Sequence, residues 1–232
     1  MPSPNRRVAA RRHGRLLWQK ISLAAPRLEA AARAFWTHPR LAEMLPDFFF
    51  TVYSSIRASV PLMEVARDCA RERRGDPVAA RTGDYLDRHI REELHHDDWL
   101  LDDMVALGMD TATWLRRPPS PAIAALVGAQ YYWALHAHPV AVLGYLAVLE
   151  GNPPSASQLK RIQARTGAPR DAFRTLLKHA ELDPHHREEL RQTIDAMPLA
   201  EEQAALLAIS AFHTIEQVSG AFEEILAAHS SR

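Results

Sequence analysis

One cysteine, Cys69, stands in a chain of 232 residues. An intramolecular disulfide is excluded, and so is a cysteine-based zinc or iron–sulfur site. A lone thiol suits a reducing compartment, and a cytoplasmic location is expected. Glycine is scarce, with nine in all. No segment of useful length alternates with period two, so nothing signals a sheet. No apolar run approaches the roughly 20 residues of a membrane span. The longest apolar clusters, such as Ala204–Ile209, sit inside patterned segments. No apolar stretch of the secretory kind follows the basic start.

Net charge is also absent, with 28 basic and 28 acidic residues, but the balance is uneven along the chain. Residues 1–20 carry Arg6, Arg7, Arg11, Arg12, Arg15 and Lys20 and no acid. The first 15 residues read as a basic, solvated arm ahead of a single helical domain at 16–232. Such an arm can touch nucleic acid or an anionic surface, and an organellar presequence has the same composition. A solvated leader is the simpler account, so neither nucleic acid nor membrane is an expected partner.

What the chain does have is helical periodicity and histidine, of which there are twelve. Residues 16–36 form a first helical region, with Pro26 at a start or kink. Residues 41–72 read as two helices divided around Ser59–Pro61. Residues 77–107 read as one long helix ending at Gly108. The next spans about 121–150, through Pro139, and stops at Gly151-Asn152-Pro153-Pro154. A short helix at 155–166 and helices at 169–196 and 200–228 follow. The expectation is an all-α, single-domain bundle of about seven helices.

Two histidine clusters carry the chemistry. With His89 at 0° on a helical wheel, Glu93 falls at about 40°, Glu92 at about 300° and His96 at about 340°. With His179 at 0°, Asp183 falls at about 40° and His186 at about 340°, while His185 points away. The third feature is Glu150, which ends the apolar segment VAVLGYLAVLE. A lone carboxylate there is costly to bury unless it is paired or binds a metal. His136 would share its helix face, but fourteen residues of helix put it about 21 Å away.

Either cluster alone is most often a solvated face with i,i+4 pairs. Both together with Glu150, in one helical chain, indicate a metal site. Imidazole and carboxylate suit Fe(II), Mn(II) or Zn(II). Six donors from Glu93, His96, Glu150, His179, Asp183 and His186 would leave coordination positions open for O2.

At these residues the chain resembles the haem-oxygenase-like diiron oxidases and oxygenases, or iron-containing redox enzymes. They are relatives of the thiaminase-like and pyrroloquinoline-quinone-synthase-like proteins. The resemblance lies in HIREELHHDDWLLDDMVALG (89–108), YYWALHAHPVAVLGYLAVLEG (131–151) and HAELDPHHREEL (179–190), with IRASVPLMEVA (56–66) in support. It covers roughly residues 40–195. It implies a haem-oxygenase-like bundle, two Fe(II) (with Mn as the alternative metal) and O2 as co-substrate. It implies oxidation of a small molecule such as an amino acid, a fatty acid or a biosynthetic intermediate. His96, Glu150, His179, Asp183 and His186 match family ligands. The remaining carboxylate matches Glu93, three residues before His96, with His89 and Glu92 as alternates.

Candidates for the substrate pocket are Arg57, Tyr53, Met63, Tyr132 and His136, with Phe49, Tyr131 and Tyr145 as further lining. Arg57 could hold a substrate carboxylate or pair with Glu64, seven residues on along the same helix face. The expected partner is the small-molecule substrate, in a chain compatible with a homodimer. Three rival readings stand beside this one. A ferritin-like diiron protein would use Glu64, Glu93, His96, Glu150, Asp183 and His186. A metal-free relative would be a cofactorless oxidase or thiaminase-like, although Cys69, among Arg67, Asp68 and Arg71, reads as exposed helix and not as a nucleophile. A helical DNA-associated protein would work through the basic arm and would have no use for the aligned His179, Asp183 and His186.

Overall fold

The computed structural model of the chain describes residues 12–151 and 154–230. Residues 1–11 of the basic arm and part of the Gly151–Pro154 breaker lie outside the described residues. Among the described residues the chain is helical throughout. Its α-helices are α1 (His13–Ala24), α2 (Pro26–Thr37), α3 (Leu41–Glu72), α4 (Pro77–Glu93), α5 (His96–Ala106) and α6 (Thr111–Trp114). They continue with α7 (Pro121–His136), α8 (Ala141–Leu149), α9 (Ala156–Thr166), α10 (Arg174–Asp195) and α11 (Glu201–Ser230). A 3-10 turn, Arg170–Phe173, precedes α10.

Among the described residues eleven α-helices replace the seven or so expected, because the backbone breaks where the wheel pattern runs on. The 77–107 segment is two helices. Leu94 turns extended and His95 enters the left-handed region at φ 71°. Asp97 and Asp98 then fill the first turn of α5, where acidic groups complement the helix dipole. The 121–150 segment breaks at Ala137–Val140. There Pro139 brings no N–H, and His138 Nδ1 accepts from Val140 N–H instead.

The opposite correction holds for α3, which runs unbroken for 32 residues through Pro46 and Pro61. Ser59 donates to the Ser55 carbonyl and meets the Tyr145 hydroxyl at 2.7 Å, which splints the turn before Pro61. Burial on both sides of that point outweighs the lost hydrogen bond. Phe48, Phe49 and Tyr53 enter one apolar core, and Leu62, Met63 and Ala66 enter another.

The first core gathers α1, α4, α7, α8 and the middle of α11. The second gathers α2, α5, α9, the 3-10 turn and the end of α11. His89 follows Tyr85 and Leu86 of the first core, and His96 precedes Leu100 of the second. Buried Asp103 on α5 accepts the Thr175 N–H at 2.8 Å, tying α5 to the first turn of α10. Helix α8 is apolar on every side and buried from Ala141 to Val148. It lies so close to α11 that a Cβ on Gly144 would sit 2.3 Å from the Leu207 carbonyl oxygen. That approach delivers Glu150, the residue after α8, to the cluster.

Candidate metal centre

Four segments converge: the end of α4, the start of α5, the end of α8 and the middle of α10. They form two three-residue groups, His89–Glu150–His186 and Glu93–His96–His179. Within each, one ligand atom from every residue lies within 4.8 Å of the others.

In the first group, His89 Nε2 donates to Glu150 Oε1 at 2.8 Å. Glu92 lies 3.5 Å from His89 Nδ1 and 3.7 Å from His186 Nε2. Glu92 is half in solvent, at 44% exposure. In the second group, His96 Nδ1 donates to Glu93 Oε2 at 2.8 Å. His179 Nδ1 donates to the Thr175 carbonyl at 3.0 Å. That bond commits Nδ1 as a donor and turns Nε2 toward Glu93, 3.9 Å away. The groups adjoin, since His186 Nδ1 is 3.9 Å from both Glu93 Oε1 and Glu150 Oε2. Buried Asp183 lies one turn from both His179 and His186.

Protons hold this cluster together electrostatically. Burial pulls the His89 imidazole down, but Glu150, by charge and hydrogen bond, lifts it to about 9. Burial opposes ionisation of Glu93, yet the His179 and His96 rings hold it well below the usual carboxylate range. His179 is raised, with burial overcome by Glu93. Asp183 is pushed up to about 7 by burial, with Glu150 and Glu93 adding to the shift against His179. Three inward carboxylates thus share protons carried by two imidazoles and by Asp183 itself. A divalent cation would do the same work.

Three buried atoms of the cluster have no hydrogen-bond partner: Glu150 Oε2, Asp183 Oδ1 and His186 Nδ1. Unpaired buried polar atoms cost about 1–3 kcal/mol each. All three are metal-ligating types, so the residues fit a bound cation. A set of four imidazoles and three carboxylates suits iron or manganese.

Five of the six first-choice residues meet in these two groups, and Asp183 lies one turn from His179 and His186 on the same helix. His89, an alternate, belongs to the cluster as fully as Glu93, and Glu92 lies at its edge. The signal for His89 was its place on the wheel. Its partner Glu150 is 61 residues away, and nothing local announces that pairing. Sequence reasoning missed Tyr85, whose ring stacks on His89 at 5.3 Å and whose hydroxyl is buried without a partner. It also missed Trp99, which stacks on His96 at 4.1 Å under the Lys178 ammonium.

The proposed pocket residues are dispersed. Tyr132 is 63% exposed, and His136, also exposed, packs against it on the outward face of α7. Neither faces the cluster, because α7 buries its opposite side. Phe49 and Met63 are sealed in the cores, and Tyr145 is spent on Ser59. Arg57 is exposed and donates to the Tyr53 hydroxyl at 2.9 Å. Glu64 is exposed and joins neither group, which removes the ferritin-like ligand set. Burial and Glu72 raise the Cys69 thiol, so it is no ready nucleophile.

An all-helical scaffold with this paired His/carboxylate cluster defines a class: haem-oxygenase-like proteins with a candidate metal centre. Residues 79–217 match the family described as iron-containing redox enzyme, and the chain belongs to that family. No curated protein matches the chain. Two solved structures share the fold. One is a domain of unknown function with a heme oxygenase-like fold from Shewanella denitrificans. It is 16% identical, with a TM-score of 0.75 over 94% of this chain and 90% of that one. The other is a TenA homolog from Pseudomonas syringae pv. tomato. It is 15% identical, with a TM-score of 0.70 over 92% of each chain. No helix among the described residues is long and apolar enough to cross a membrane.

Proposed function

We propose that the chain is a non-haem diiron oxidoreductase that uses O2 to oxidise a small molecule. One observation carries the reading: two adjoining ligand groups, each of three residues, meet through His186 and Glu93. His89, Glu150 and His186 would hold one ion. Glu93, His96 and His179 would hold the other, with Asp183 available to either. Bound iron would supply electrons and open positions for O2.

The chain's own residues do the rest. The His179 Nδ1 bond to the Thr175 carbonyl aims Nε2 inward before any ion arrives. His89 and Asp183 hold protons that an incoming cation must displace. Tyr85 and Trp99 wall His89 and His96 from water by stacking.

The test is anaerobic loading with Fe(II), then O2, followed by Mössbauer spectroscopy. Conversion of paired ferrous to ferric iron, faster than free Fe(II) oxidises in the same buffer, supports the proposal. Iron that oxidises no faster than the buffer control overturns it and leaves a metal-free relative as the account.

A further inference from the structure

Helix α10 begins with no acidic residue in its first turn, and Phe173 at its N-cap offers no side-chain oxygen. A helix start leaves four N–H groups without intrahelical acceptors, and its partial positive charge favours an anion. Here the anion comes from another helix. Asp103 of α5 is fully buried, and its Oδ2 accepts the Thr175 N–H at 2.8 Å. Burial raises the Asp103 carboxyl, opposed by the Thr175 amide and by Arg174, whose Nε lies 3.6 Å from Oδ1. Packing brings the two helices to this meeting, since Leu100 and Met104 of α5 share a core with Phe173.

Thr175 makes a second bond with its other backbone group. Its carbonyl accepts from His179 Nδ1 at 3.0 Å, one turn further along α10. The two bonds run in series. Asp103 fixes Thr175 through the N–H, and Thr175 fixes the His179 ring through the carbonyl. The hydrogen bond at one imidazole nitrogen sets how the other is presented. His96, in the same ligand group as His179, stands on α5 itself. Asp103 thus ties the helix of one histidine to the ring orientation of the other.

We infer that Asp103 is a positioning residue for His179. Acting through Thr175, it holds the ring with Nε2 turned toward Glu93. It acts at one remove, because its own partners are Thr175 and Arg174. Calling His179 a metal ligand rests on the diiron reading; the placement of its ring does not.

The test is nitrogen-15 NMR of the metal-free full chain, following exchange of the His179 Nδ1 proton with water. His179→Gln assigns that proton by its loss. Asp103→Ala and Asp103→Asn are run beside wild type. Asp76→Ala is the control, since Asp76 caps a different helix, α4, by the same kind of bond. In Asp103→Ala the ring proton should exchange at least roughly tenfold faster, the ratio that a hydrogen bond to a charged group supports. Asp103→Asn, whose amide oxygen can still accept the Thr175 N–H, should keep most of the protection. Asp76→Ala should keep all of it. An Asp103→Ala chain that folds and keeps wild-type exchange overturns the proposal, and so does equal acceleration by Asp76→Ala, which would mark a general loss of stability. If Asp103→Ala does not fold, wild type decides. The Thr175 amide and the His179 ring proton should then open to exchange together, and a protected amide beside a freely exchanging ring proton sinks the idea. Fe(II) titration of the same samples keeps the two readings apart. The expected exchange pattern in a wild type that takes up no iron retains the positioning and ends the diiron reading, whereas iron uptake with unchanged exchange in Asp103→Ala ends the positioning alone.

Discussion

Gly144→Ala adds one methyl group at the tightest helix contact that serves the cluster. Its Cβ would lie 2.3 Å from the Leu207 oxygen, 3.0 Å from the Ser210 Cβ and 3.1 Å from the Ala211 nitrogen. Ordinary carbon contacts need roughly 3.5 Å, so α8 and α11 must part by about 1 Å. The neighbours are backbone atoms or a Cβ, and none can rotate aside. Overpacking of this kind costs up to about 3 kcal/mol. Alanine returns about 1 kcal/mol through helix propensity, which leaves a net loss near 2 kcal/mol. For a chain of this length that lowers the melting temperature by about 4–8 °C. The control is Gly128→Ala, inside α7, where nothing lies within 4 Å of the new Cβ. That change should stabilise by about 0.4–1 kcal/mol. Thermal melts and urea titrations of the two variants test the contrast. If Gly144→Ala is as stable as Gly128→Ala, the close approach that sets Glu150 in place is refuted.

Other perturbations probe separate links. His95→Val places a β-branched residue at φ 71° and should cost about 1–2 kcal/mol in a melt, while His95→Gly should be tolerated. Asp76 caps α4 by accepting from Val78 and Ala79 N–H, so Asp76→Ala should lose about 1 kcal/mol at neutral pH. Burial works to raise Asp76, but those amides and His138 hold it below its ordinary value. The stability it contributes is therefore complete above about pH 4 and fades as pH falls through the lower folded value. Variant and wild type should converge there in acid urea titrations. Tyr85→Phe removes a buried hydroxyl that has no partner. It should leave the metal-free protein as stable or up to about 1 kcal/mol more stable, and a clear loss in the melt would show that the hydroxyl is satisfied.

Much of the centre was legible because α10 runs unbroken from His179 to His186, through Pro184, so wheel arithmetic holds across it. The same arithmetic applied to 89–96 met Glu93 and His96 for a different reason. The chain leaves the helix at Leu94–His95 and starts α5 at His96, yet His96 Nδ1 still reaches Glu93. Hydrophobic periodicity does not register a two-residue break when both sides keep their apolar faces. It likewise could not show that burial in two cores would carry α3 through Pro61. The His89–Glu150 contact depends on how α8 seats against α11, a long-range event written in Gly144 and not in any ligand motif. Tyr132 and His136 were misplaced because α7 is apolar almost all round, and its composition does not say which face is outward.

The most direct measurement counts ions. Anaerobic Fe(II) titration of the wild-type chain should end near two per chain. Glu150→Ala and His179→Ala, each cutting one group of three, should each end near one. A wild-type end point of one or none, or a single variant that abolishes all binding while the other changes nothing, would contradict two adjoining ion sites built from these seven residues.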